Sequence, residues 1–154
     1  MDKIKIMLIA SIFFAGINLY SQKLKEADVP SAVKIKFSEM YPNAGKIKWE
    51  MEDGKYEAEF KENKVESSAL FEQNGTYVQT ETEITVSSLP KAAADYISKN
   101  LPGRKIKEAA KITASDGTVT YEAEVDKDDY IFDSNGNFIR KDSGSGDNED
   151  EDKK

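Results

Sequence analysis

The chain contains neither cysteine nor histidine among its 154 residues. Without cysteine there is no disulfide, no thiolate nucleophile and no lipid-modified N-terminal cysteine, so burial alone must hold the fold. Lacking both residues, the chain also lacks the Ser-His and Cys-His pairs that activate most nucleophiles, and the ligands that zinc and copper favour. Positive charge is scarce too: 22 Lys and Arg stand against 29 Asp and Glu, a net of −7. A surface of that sign repels phosphate backbones, which sets nucleic acid aside as a partner. Long apolar runs are equally scarce. The single example, Ile6 to Ile17 with Ser11 and Gly16 inside it, follows Lys3 and Lys5 and precedes a small residue, Ser21. It falls short of the roughly 20 residues that span a bilayer. The order basic, apolar, small predicts a secretory signal peptide over residues 1–21, with no membrane anchor once it is removed. The expected compartment is the periplasm or the exterior.

What is present is a pattern that occurs twice. After a polar leader, Val29-Pro30 opens a helix whose stripe is Val33, Phe37, Met40 and Tyr41, and Pro42, Asn43 and Gly45 stop it. The period then changes from helical to alternating. Ile47, Trp49 and Met51 are followed by a turn at Asp53-Gly54, by Tyr56, Ala58 and Phe60, by a strand from Val65 to Phe71, and by Thr76 to Ile84 after Asn74-Gly75. From Leu89-Pro90 the order recurs. Ala93, Ala94, Ile97 and Leu101 form the second stripe, Lys105-Ile106-Lys107 repeats Lys46-Ile47-Lys48, the YEAE of Tyr121 to Glu124 repeats that of Tyr56 to Glu59, and Ile131 to Gly136 repeats Leu70 to Gly75. The reading is α+β: two tandem α-β-β-β-β repeats, about 28–84 and 88–141, within one domain of residues 22–141. Thr85 to Ser88 is too short to hold the units apart, so one antiparallel sheet of about eight strands with both helices on one face is expected. Residues 142–154, rich in acid and without an apolar side chain, read as a disordered acidic tail.

These residues together resemble the PepSY-like, beta-lactamase-inhibitor-like family of exported bacterial proteins. The matching features are the Val-Pro and Leu-Pro helix starts, Tyr41-Pro42 and Leu101-Pro102, the YEAE strands, the Asn-Gly turns, and Thr82-Glu83-Ile84 before the second helix. The resemblance spans about residues 28–141. It implies a noncatalytic binding module whose partner is another exported or envelope protein, such as an envelope hydrolase that it inhibits or modulates.

Candidate chemistry is sparse. The alternation predicts a solvated sheet face occupied by Lys46, Lys48, Glu50, Glu57, Glu59, Glu66, Lys105, Lys107, Lys111, Glu122 and Glu124, with Trp49 on the opposite, covered face. Ser31-Ala32-Val33-Lys34 fits the spacing of a Ser-Lys dyad but sits in the first turn of a helix, where both residues have plainer roles. Asp126, Asp128 and Asp129, with Asp133 nearby, are the residues a calcium ion would use, in a cation-binding sensor or buffer protein. Their spacing is not that of an EF-hand, and a hairpin turn explains them. No catalytic residue, metal or cofactor is therefore expected. Tyr77 alternates with Val78 in a way that puts it on the solvated face, and Leu70 and Ile131 are out of phase with Phe71 and Phe132. Together Leu70, Tyr77 and Ile131 form the expected partner-binding patch.

Overall fold

A computed structural model describes residues 22–52 and 54–143. The segment expected to be a signal peptide, residues 1–21, lies outside these residues, as does the expected acidic tail from residue 144 onward. The elements run β1 (Gln22–Leu24), a 3₁₀ turn, α1 (Ser31–Met40), β2 (Lys48–Glu52), β3 (Lys55–Glu62), β4 (Val65–Phe71) and β5 (Tyr77–Glu83). A second 3₁₀ turn follows, then α2 (Lys91–Asn100), β6 (Glu108–Ala114), β7 (Val119–Val125), β8 (Asp128–Asp133) and β9 (Phe138–Ser143). All nine strands form a single antiparallel sheet in sequence order. The architecture is α+β, as expected, but with nine strands instead of about eight. The additional strand comes from the polar leader, where Gln22, Lys23 and Leu24 pair with Met51, Glu50 and Trp49. At the other end, Asp142 and Ser143 belong to β9 and not to the tail, because Asp142 sits opposite Asp129 and binds Arg140.

Each helix follows a proline that ends an extended segment, with the proline carbonyl accepting the first helical hydrogen bonds. Val33 and Phe37 of α1 are buried against Trp49, Ala58, Phe60 and Phe71, with Phe37 at the centre of several edge-on ring contacts. In the second half Ala93 and Ile97 of α2 are buried with Ala109, Ala123, Val125 and Phe132. Cross-strand partners share a face, and Ala69, Thr80 and Thr113 are partners in turn across β4, β5 and β6. Ala69 lies under α1, and Ala109 shares its parity with Thr113 under α2, so both helices cover the same side of the sheet.

Two close turns fix how each helix meets its half of the sheet. A Cβ on Gly75 would come within 2.7 Å of the Ala32 carbonyl, and one on Gly136 within 2.8 Å of the Ala93 amide nitrogen. Both glycines have φ of +85°. Only glycine tolerates that backbone and that approach together.

Between the halves, β5 pairs with β6 from Gln79–Ala114 to Glu83–Ala110. Tyr77 reinforces the joint, its hydroxyl lying 2.9 Å from the Thr80 hydroxyl and 2.9 Å from the Thr113 carbonyl. Tyr41 reaches the same Thr80 hydroxyl from α1, and burial pushes its phenol up to about 12.

Candidate partner-binding face

The side of the sheet away from the helices carries the charged residues, and it is far less solvated than alternation implies. Glu57 is 5% exposed, Glu122 is 6% and Asp129 is 2%. The register gives the reason. Glu57 lies between Glu50 and Leu70, and Glu122 between Ala110 and Ile131. Ala110, Ile112 and Ile131 point to this face and are themselves buried. Their bulk, with the long stems of neighbouring acids, shuts out water on a face that neither α1 nor α2 covers.

Burial without a counter-charge raises a carboxyl, because the charged form loses its hydration. Desolvation, with Glu52 close by, lifts Glu57 to about 7. Desolvation and the neighbouring Glu124 and Asp142 bring Asp129 to about 7. Desolvation with Asp129 and Glu81 carries Glu122 to about 10. Glu81 on β5 is pushed well up, again first by burial and then by Glu57 and Asp129. One oxygen of Glu122 and one of Asp129 have no hydrogen-bond partner. A buried polar atom left unpaired costs about 1–3 kcal/mol.

The register also lines up like charges. Glu108, Glu124, Asp129 and Asp142 are successive cross-strand partners over β6, β7, β8 and β9. Like charges directly opposite are destabilising. Part of the row is relieved where Lys107 lies 3.8 Å from Glu124 and Arg140 binds Asp142 at 2.8 Å. A groove of about 300 Å³ runs over the β5–β6 joint on this face. One wall, drawn from β5, β6 and β7, carries Glu81, Glu83, Glu108, Glu122 and Glu124. The opposite wall carries Lys46, Lys48 and Lys61, of which Lys48 pairs with Glu59 at 3.1 Å and Lys61 with Glu66 at 2.5 Å.

Of the expected patch, the structure brings no two members together. Leu70 is on this face, partly buried between Glu57 and Gln79. Ile131 is on it too but fully buried, with β5, β6 and β7 intervening. Tyr77 is on the helix side, 6.0 Å from the Phe71 ring. The cause is a β-bulge: Leu70 pairs with Gln79 but Phe71 pairs with Tyr77, so Val78 is extra and the alternation inverts there. The same irregularity recurs where Ile131 pairs with Arg140 and Phe132 with Phe138. Lys111 also departs from expectation and faces the helix side beside Thr82 and Tyr121. Ala109, Ala110 and Ile112 are apolar on both parities, so alternation left the phase of β6 open.

The calcium candidates are drawn into separate contacts. Asp126 and Lys127 are the two positive-φ residues of the hairpin turn, with Asp126 3.0 Å from Arg104. Asp128 pairs with Lys141 at 2.6 Å, and Asp129 turns to the open face. Among the described residues no three acids are arranged to hold a metal ion. Asp133 instead caps its own turn, accepting from the Asn135 and Asn137 amides at 2.9 Å. Sequence reasoning missed Glu81 and the like-charge row, since both depend on register.

Comparison with known proteins places this geometry. The family described as "Putative beta-lactamase-inhibitor-like, PepSY-like" matches residues 17–68 and 54–140. A Bacteroides fragilis protein termed BLIP-like superposes with a TM-score of 0.65 at 23% identity, covering 79% of this chain and 92% of its own. A protein of Bacteroides eggerthii, titled as a putative periplasmic protein, gives 0.67 at 20% identity over 73% and 87%. These likenesses show the fold. No protein of curated function matches in sequence.

Proposed function

The chain belongs to the PepSY-like family, and from that premise we propose that it is a noncatalytic, extracytoplasmic module that binds a partner protein through the open face of its sheet. The observation that carries this reading is the set of buried carboxylates there, two of them with an oxygen unpaired among the described residues, on a face that neither α1 nor α2 covers. A free protein holds such groups at a cost, and a partner that supplies donors and charge would recover it.

Other observations support the reading. The signal-like N-terminus and the periplasmic title of the eggerthii protein agree on compartment. The lack of histidine and cysteine removes the commonest catalytic groups. The order helix and four strands occurs in each half, which supports tandem repeats and a sheet long enough to present one continuous surface. An exported or envelope hydrolase is the partner class that the family description suggests. The face lacks the cluster of aromatic anchors usual at tight interfaces, so charge is expected to dominate recognition.

Affinity recovery from the host envelope fraction tests the proposal. Leu70→Lys, on the open face, should abolish recovery of a defined partner. Ile35→Lys, on the 60% exposed outer side of α1, should leave it intact. The reverse pattern, or loss in neither variant, would contradict the assignment.

A further inference from the structure

We infer that the acidic wall of the open-face groove is a receptor for the alkyl-ammonium group of a lysine side chain, presented by an exposed segment of the partner protein. The inference rests on the binding-module reading above and names the chemistry of the partner.

Three carboxylates from three different strands line this wall: Glu81 from β5, Glu108 from β6 and Glu122 from β7. They lie on one face by register, since Glu81 is opposite Ile112, Ile112 shares parity with Ala110 and Glu108, and Ala110 is opposite Glu122. Glu122 is buried, lines the groove, and keeps one oxygen without a partner. Asp129, just behind it on β8, keeps another.

The cation this arrangement fits can be chosen by elimination. A bare divalent ion needs several oxygens gathered at a single point, and no three acids among the described residues are so placed. An arginine fork is best met by both oxygens of one carboxylate, whereas the buried Glu122 leaves one oxygen unpaired. An ammonium is a compact charge that can bond a single carboxylate oxygen without a planar pair of acceptors. Its methylene stem would lie along Ala110, the small apolar residue between Glu83 and Glu122 that also lines the groove. A protein-borne lysine rather than a free amine is favoured by the opposite wall. Its Glu59 and Glu66 carboxylates and its Lys46, Lys48 and Lys61 ammoniums offer a mixed surface for the peptide on either side of the anchoring residue.

The charged groups facing Glu122 are Glu81 on β5, Glu108 and Lys107 at the start of β6, Glu124 on β7, Asp129 on β8, and Arg140 and Asp142 on β9. The acids outnumber the bases, and the crowding holds protons in the free groove. An arriving ammonium must displace them, so binding should release protons and tighten as pH rises from 6 to 8.

The test is titration calorimetry on the exported chain at low ionic strength, with tetralysine, its Nε-acetylated counterpart, spermine and calcium chloride as probes. Tetralysine should bind with an enthalpy that changes with the ionisation heat of the buffer, reporting proton release, and the acetylated peptide should not bind. Glu122→Gln should weaken tetralysine at least tenfold and raise the thermal midpoint, because an amide in its place no longer has to take up a proton on folding. Glu39→Gln, an exposed acid on α1, should do neither.

Equal weakening by Glu39→Gln and Glu122→Gln would mean attraction to net charge alone and would overturn the site. A lowered midpoint for Glu122→Gln would make that residue structural and would also overturn it. Calcium binding that Glu122→Gln abolishes would replace the lysine with a metal ion. Tighter binding of spermine than of tetralysine would overturn the protein source in favour of a free amine. If Glu122→Gln still recovers the envelope partner at wild-type yield, the lysine site fails while the open-face reading stands.

Discussion

Glu57, Glu122 and Asp129 make the protein respond to pH in a direction opposite to most. Their folded values of about 7, 10 and 7 lie above the ordinary carboxylate range. Between those limits the folded state binds more protons than the unfolded state, so stability falls as pH rises. The loss begins near the unfolded values around 4 and is complete for Glu57 and Asp129 by about pH 8, while Glu122 continues to about 10. The shift of Glu57 or Asp129 corresponds to roughly 3–4 kcal/mol, and that of Glu122 to roughly twice as much. Glu66, Asp116 and Asp133 are held below their ordinary values, and they act only at lower pH. Thermal unfolding should therefore show a higher midpoint at pH 5 than at pH 8, and Glu57→Gln should flatten the difference. A midpoint that rises steadily from pH 5 to pH 8 would contradict the burial of these acids. At the same scale, Tyr77→Phe should cost about 1–2 kcal/mol in urea unfolding, since the Thr80 and Thr113 groups it serves lose a partner.

At the scale of elements, the helix–turn contacts make a sharper prediction than the helix stripes. Gly136→Ala must strain φ and also push into the start of α2, whereas Gly117→Ala meets nothing within 4 Å and bears only the strain. Urea unfolding should give a loss of roughly 1 kcal/mol for Gly117→Ala and at least about 3 kcal/mol for Gly136→Ala. Both helices, their proline starts and most strands were legible from spacing, because Val33, Phe37, Ala93 and Ile97 repeat at the helical period and Trp49, Ala58 and Phe60 at the strand period. Three things were not. Gln22 to Leu24 has no alternation of its own and becomes a strand only because the edge of β2 is available to pair with. The bulge at Val78 inverts Tyr77 without any glycine to announce it. Ala109 to Ile112 carries apolar residues on both parities, so only the contact with α2 decides that Ala109 faces inward and Lys111 with it.

Across the whole molecule, nine strands in sequence order with both helices on one side leave a single broad face to work with. Its acids were visible in the sequence as alternating glutamates, but their burial was not, because solvation depends on what lies opposite in the register and not on what is adjacent in the chain. Glu50 opposite Glu57, and Glu108, Glu124, Asp129 and Asp142 in a row, exist only once the strands pair. Such a face is stable in isolation at a cost, which is why we propose that a partner binds there. Site-specific photocrosslinking in the native host tests this most directly, with the crosslinker at Leu70 on the open face in one strain and at Ile35 on the outer side of α1 in another. A discrete adduct from Leu70 and none from Ile35 is the expected result; an adduct from Ile35 alone, or from neither position, would contradict the account.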